Sequence, residues 1–122
     1  QPFDTDDLIA CYRRGVFPMA ESREEEHFLI VDPDWRCVLP LDAFHVPRRL
    51  ARTLRQGRFG FTIDRDFEAV IDACAEPGEG REDTWINPQI RALYVTLHRQ
   101  GLARSVEARM DGALVGGLYG VA

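Results

Sequence analysis

Apolar residues in this chain recur at helical spacing in some stretches and alternate with polar ones in others, and these rhythms divide it into short elements. Near the start, Leu8, Ile9 and Tyr12 fall on one stripe of a helix. Asp4-Thr5-Asp6-Asp7 open that helix with cap-type and acidic residues that suit the positive end of its dipole, and Gly15 is placed to stop it. Phe28 to Val31 reads as a short strand and Arg36 to Leu41 as a second, with Asp32-Pro33-Asp34 as the turn between them. Pro47 fits the first position of a helix that runs to Gln56 and ends at Gly57.

The second half is more strongly patterned. Phe59, Phe61 and Ile63 alternate with small or polar residues, the period of a strand. Phe67, Val70, Ile71 and Cys74 then recur at helical spacing until Pro77-Gly78. A further helix has Asn87 as its cap, Pro88 at its start and Gly101 at its stop, with Ile90, Leu93, Tyr94 and Leu97 on the buried face. Asp111-Gly112 is a two-residue hairpin turn. It is expected to set Val106, Ala108 and Met110 on the same side of the ribbon as Ala113, Val115 and Gly117, and Leu118 on the side of Ser105 and Glu107. From Phe59 onward the order is strand, helix, helix, strand, strand. The fold class is α+β, and that order is similar to the first half of the acyltransferase fold called GNAT.

With 122 residues, 45% hydrophobic and 29% charged, the chain has the material for a buried core and no disorder signature. No apolar run reaches the length of a membrane span, and no signal peptide is visible; the first residue, Gln1, suggests a cut end. Cys11, Cys37 and Cys74 are widely separated and never form a CxxC pair. Reduced thiols in a cytoplasm are therefore expected, each buried among apolar neighbours, with neither a disulfide framework nor a zinc site. His27, His45 and His98 stand at no metal-ligand spacing, so no metal is expected.

Net charge is −5, but its distribution matters more than its sum. Every basic side chain is arginine, and between Pro47 and Phe61 five of them occur with no acid. Arg48, Arg52 and Arg55 share one helix face. An arginine fork binds phosphate bidentately, so this stripe is either an RNA contact or a solvated helix face.

Four segments carry a family resemblance. Ala10-Cys11-Tyr12-Arg13-Arg14-Gly15-Val16-Phe17-Pro18 resembles the "AYxxGxFPW" opening of bacterial leucyl/phenylalanyl-tRNA–protein transferases, and Asp32 to Leu39 resembles their "SPxxRxVL". Thr84-Trp85-Ile86 with Tyr94, Leu97 and His98 is similar to "TWIxxxxxxAYxxLH". Ser105-Val106-Glu107 with Leu114 to Ala122 is similar to "SIE…LVGGxYGVA". Order and rough spacing agree over nearly the whole chain. The resemblance implies a small N-terminal domain, here residues 1–35, followed by a GNAT-like domain over 36–122 that lacks its acyl-donor strand and helix. It implies an enzyme that moves leucine or phenylalanine from its tRNA onto the N-terminal Arg or Lys of a protein, marking it for degradation. No cofactor is implied, because the acyl group arrives already activated on RNA. The family's "GESMFS" segment and later Asp/Gln motif are absent, so catalytic residues are expected beyond Ala122 and the chain is expected to be inactive alone. The family is expected to be monomeric, whereas this chain, without the next strand, is expected to associate through an exposed sheet edge at Val115 to Ala122.

The resemblance also assigns roles. It implies that Met19 takes the position of a family tryptophan that stacks on the terminal adenosine, and that a basic patch around Arg48, Arg52 and Arg55 holds tRNA. Trp85, after an acidic loop and before a helix cap, either stacks on a base or closes the loop as a core anchor. Tyr94 and Tyr12 are core residues or reach the site with their hydroxyls. Leu118 is implied to line the pocket for the leucine or phenylalanine side chain. Glu107 is a candidate partner for the incoming amine or an exposed strand carboxylate. Two other readings remain open: an acyl-CoA-dependent GNAT acyltransferase, and an inactive fragment that binds RNA.

Overall fold

A computed structural model describes residues 3–80 and 82–122. The element order is α1 (Thr5–Arg13), β1 (Phe17–Met19), β2 (Leu29–Val31), α2 (Arg48–Arg55), β3 (Gly60–Ile63), α3 (Phe67–Ala75), α4 (Pro88–Arg99), β4 (Ala103–Met110) and β5 (Ala113–Val121). β1 and β2 form a two-stranded antiparallel ribbon, and β3, β4 and β5 a three-stranded antiparallel sheet in that order. The class is α+β.

Local chemistry explains most boundaries. Asp4 and Asp7 form a reciprocal capping box, each carboxylate accepting the other's backbone N–H at 3.0 Å. Asn87 caps α4 by accepting from the Ile90 N–H at 2.8 Å. Its amide also donates to the Glu25 carbonyl at 2.9 Å, so one buried side chain both starts a helix and fastens the 20s loop. Asp111 and Gly112 both have positive φ, the backbone that a type I′ hairpin turn requires.

Several expectations need correction. Residues 36–41 form no strand: Arg36 reaches back to the Gly15 carbonyl and to Asp32, but among the described residues the stretch that follows pairs with no strand. Alternating residues without a ladder partner do not make a strand. Pro47 stands one position earlier than expected, as the N-cap of α2. The buried stripe of α1 is Leu8 and Cys11, with Tyr12 at its exposed margin. Of the cysteines, Cys11 is buried, Cys74 is half-buried and Cys37 is exposed on the unpaired 36–41 stretch.

The hairpin brings the largest correction. Arg109 pairs with Leu114 but Ala108 pairs with Gly116, which leaves Val115 as a β-bulge. One extra residue flips everything that follows it to the other face. Leu118 therefore sits opposite Val106 on the outer face, and Gly117 opposite Glu107 on the face covered by helices. Glu107 is fully buried rather than exposed.

The core lies between that inner face and α3 and α4. Phe67, Ile71, Ile90, Leu93, Tyr94 and Leu97 form its centre, and Leu8 and Ala20 from the N-terminal segment belong to the same cluster. Among the described residues α2 buries no side chain. No helix is long and apolar enough to cross a membrane among the described residues.

Candidate functional site

An open cleft of about 630 Å³ lies between the β1–β2 ribbon and the 83–85 loop. Met19 and Trp85, separated by most of the chain's length, line it together with Leu29, Val31 and Cys74, and Glu21, Asp83 and Thr84 contribute polar groups. Its geometry is fixed from both sides. Met19 ends β1 opposite Leu29, and the next residue, Ala20, donates its N–H to the Trp85 carbonyl at 3.0 Å. On the loop, the Asp83 carboxylate accepts the N–H groups of Arg23 and Thr84, both at 2.8 Å. Those two bonds hold its carboxyl below the usual carboxylate range. The Thr84 hydroxyl accepts from the Ile86 N–H at 3.1 Å. A tryptophan and a thioether thus stand on a backbone frame tied by hydrogen bonds, with a carboxylate beside them. The half-buried Trp85 packs against the core cluster and also lines the cleft.

The other candidate residues lie elsewhere. Tyr94 is a core residue, 2% exposed, and its hydroxyl meets that of Tyr12 at 2.6 Å. Burial raises the pKa of both phenols; for Tyr94 the bond to Tyr12 raises it further, so both are neutral donors and acceptors. Tyr119 packs edge-on to Tyr94 and to Phe67, its covered hydroxyl making no hydrogen bond among the described residues. Leu118 lines a separate apolar hollow of about 270 Å³ with Ile63, Val106 and Val121, and does not reach the cleft. Leu29, Val31 and Cys74 are cleft residues that sequence reasoning missed. They come from β2 and the end of α3, and no spacing in the chain signals that these two elements meet.

Glu107 is occupied internally. Its carboxylate accepts from the Ser105 and Thr62 hydroxyls, both at 2.6 Å, and from the Arg65 N–H at 3.1 Å. Burial pushes its carboxyl up, but these three bonds outweigh that and hold it below the ordinary value. Buried and bonded three times within the fold, this carboxylate fastens β3 to β4.

The arginine stripe is exposed along α2, where Arg48, Arg49, Arg52 and Arg55 border a solvent-open hollow of about 670 Å³. Among the described residues none of these four forms an ion pair. By contrast, Arg91 bridges Asp72 and Glu68, Arg104 holds Asp64 and Arg109 holds Asp66. In a chain of net charge −5, four neighbouring guanidiniums without carboxylate partners make a local positive field.

Comparison with known proteins gives the family of the chain. The family model described as "Leucyl/phenylalanyl-tRNA protein transferase" matches residues 38–122, and that of the same protein's N-terminal domain matches residues 1–34. A leucyl/phenylalanyl-tRNA–protein transferase of Caulobacter vibrioides is 56% identical over 119 residues, covering 98% of this chain and 55% of the relative. The protein of that name from Hyphomonas neptunium is 55% identical, with coverage of 98% and 46%, and that from Paramagnetospirillum magneticum 53% identical, with 100% and 58%. The chain thus spans about half the length of the curated relatives it matches. With more than two thirds of its residues under one family model, and relatives matching it end to end, the chain belongs to the leucyl/phenylalanyl-tRNA–protein transferase family.

Proposed function

We propose that this chain carries the tRNA-end recognition half of an aminoacyltransferase that moves leucine or phenylalanine from aminoacyl-tRNA to the N-terminal Arg or Lys of a protein. The observation that carries the reading is the meeting of Met19 and Trp85 across one cleft, in a chain of this family. An apolar slot with an aromatic wall suits the flat terminal adenosine, and stacking on such a wall contributes about 1–3 kcal/mol per base. The α2 arginines, which form no ion pair among the described residues, are suited to the phosphates of the same RNA. We place the GNAT-like domain at residues 36–122, on its strand-helix-helix-strand-strand order, and the small N-terminal domain at 1–35. A cytoplasmic location and a role in marking proteins for degradation follow from the same proposal.

The chemistry asks little of acid–base groups. An α-amine has a pKa of about 7.7–8.0, so an appreciable fraction is already neutral near pH 7. The ester it attacks is activated, and alignment of two held reactants supplies effective molarities of ~10⁵ M or more. Asp83, the cleft carboxylate bound to two N–H groups, orients the loop rather than acting as a base. The groups that handle the amine and ester belong, on this reading, to the part of the family's length outside the match.

The test is calorimetric titration of the chain with a hydrolysis-resistant 3′-leucyl-adenosine. Binding is expected, and Trp85→Ala is expected to weaken it by roughly fivefold or more, the loss of one stacking contact. Equal affinity of the variant overturns the assignment of the cleft. Binding of acetyl-CoA in place of the adenosine favours an acyl-CoA-dependent acyltransferase instead. Incubated with labelled leucyl-tRNA and an N-terminal-Arg peptide, the chain alone is expected to leave the peptide unlabelled, as an RNA-binding but inactive fragment would.

A further inference from the structure

Of the two tryptophans, Trp85 packs against the core, whereas Trp35 is 92% exposed. A tryptophan presents about 150–250 Å² of largely apolar surface, and this residue type seldom leaves nearly all of it in water. The turn that carries it is not loose. Arg36 donates to the Gly15 carbonyl and, at 3.1 Å, to the Asp32 carboxylate, an ion pair that closes the turn from i to i+4. Trp35 is the residue just before that anchor, and in the "SPxxRxVL" pattern it falls at an open position. An exposed indole thus stands on a pinned backbone.

The turn belongs to one particular end of the ribbon that walls the cleft. β1 and β2 pair from Phe17 and Val31 at one end to Met19 and Leu29 at the other. The Met19 end leads into the 20s loop, where Glu24, Glu25 and Glu26 follow Arg23, whose N–H is bonded to Asp83. That end is acidic, and it repels a polyanion. The Val31 end leads to Gly15, Arg36 and Trp35, and the chain then runs on to the four arginines of α2. On that turn Asp32 is already neutralised by Arg36. Val31 lines the cleft, and four residues of chain span at most about 14 Å, so Trp35 is rooted within that distance of a cleft residue.

We propose that Trp35 is a second stacking platform, for a base of the single-stranded RNA segment that precedes the terminal adenosine, and that the strand leaves the cleft past the Val31 end of the ribbon. This rests on the adenosine cleft of the proposed function and extends it by one residue and a direction. Sites for single-stranded RNA combine aromatic platforms with cations that follow the backbone, and chain order supplies Trp35 and then the arginines of α2. Every base has a face to stack, so the contact contributes affinity and path and does not read base identity.

The test compares two hydrolysis-resistant ligands by calorimetry on the 122-residue chain: 3′-leucyl-adenosine, and the same leucyl group carried by the trinucleotide CpCpA. High salt is used, so that phosphate contacts are screened and stacking remains. The trinucleotide is expected to bind more tightly by roughly fivefold or more, the gain from one stacked base. Trp35→Ala is expected to bring the ratio of the two affinities close to one, and Trp35→Phe to keep most of it. A merely structural role would weaken both ligands and leave the ratio unchanged. Urea midpoints of the chain and of Trp35→Ala are expected to coincide, because the ring is almost wholly exposed; a lowered midpoint would assign the ring to the fold and overturn the proposal. So would a ratio near one in the unaltered chain, or a ratio that survives Trp35→Ala. A dimer in sedimentation that Trp35→Ala converts to monomer overturns it too, since a second copy then covers the indole. Failure of 3′-leucyl-adenosine to bind is a separate result, which overturns the adenosine cleft. Trp35 is then judged on the trinucleotide alone: weaker binding by Trp35→Ala upholds its role, and equal or absent binding ends it.

Discussion

The hydroxyls of Tyr12 and Tyr94 meet at 2.6 Å although 82 residues separate them in the chain. One lies at the exposed margin of α1 and the other deep in the core, and the bond fastens the N-terminal segment to α4. The rings pack edge to face, 6.4 Å between centroids.

That difference in depth makes an asymmetric prediction. Tyr12→Phe strands the Tyr94 hydroxyl in the core without a partner, at a cost of about 1–3 kcal/mol. Tyr94→Phe strands only the Tyr12 hydroxyl, which can turn to water, and costs about 0.5–1.5 kcal/mol. Urea unfolding should therefore find the less buried residue to be the more sensitive. The reverse order would show that the bond matters less than the packing of the Tyr94 ring. Because burial raises both pKa values, this contribution is complete below the ordinary phenol pKa of about 10 and is lost as pH rises above it.

Gly117 is needed because α3 comes so close to the sheet. A Cβ added there would lie 2.9 Å and 3.2 Å from the two methyls of Val70 and 3.3 Å from the Val106 carbonyl oxygen. Val70 is 1% exposed and has no space to withdraw into. Gly117→Ala is expected to destabilise the chain by about 1–3 kcal/mol through overpacking. Adding Val70→Ala should cost less in that background than in the original chain; strict additivity of the two in urea unfolding would count against the contact.

Much of this architecture was legible because it is set locally. The Asp4 and Asn87 caps, the Asp111-Gly112 turn and the period of α3 and α4 each depend on a few adjacent residues. What was not legible depends on partners. The stretch 36–41 has strand-like residues but no strand to pair with, and β1 is a three-residue strand containing Pro18, recognisable only once Val31, Ile30 and Leu29 stand opposite. The Val115 bulge is invisible in a run of small and apolar residues, yet it alone decides that Leu118 faces outward and Gly117 inward. The cleft was half legible. The resemblance pointed to Met19 and Trp85, while Leu29, Val31 and Cys74 join them only through tertiary packing.

Acid should loosen the fold through a small set of carboxylates. The backbone N–H of Ser105, helped by Arg104, lowers the Asp64 pKa, and Arg91 lowers that of Asp72. Asp83 and Glu107 are lowered as well. A carboxyl whose folded pKa is depressed contributes stability above its unfolded pKa of about 4, and that contribution disappears as pH falls through the folded value. Urea midpoints should therefore decline below about pH 4. Asp64 has φ of 58°, a backbone that asparagine also tolerates, so Asp64→Asn isolates the charge. The variant should lose less stability between neutral and acid pH than the original chain. Parallel curves would remove Asp64 from the set.

The arginine helix makes the most discriminating prediction about RNA. If Arg48, Arg52 and Arg55 contact phosphates, each contact releases counterions and binding weakens steeply with salt. Arg52→Ala should then lower affinity for every tRNA alike and reduce the salt slope by about one unit, because phosphate contacts carry no sequence information. The substitution is structurally clean, since Arg52 is exposed on a helix that buries no side chain and has no ion-pair partner among the described residues. Trp85→Ala should behave differently. It should weaken binding of the aminoacyl-adenosine end and leave the salt slope nearly unchanged, since stacking displaces no counterions. Titrating the original chain and both variants with tRNA over a range of salt separates the two contributions. An Arg52→Ala protein with unchanged affinity and slope would reduce the stripe to a solvated helix face and move the RNA surface elsewhere on the molecule.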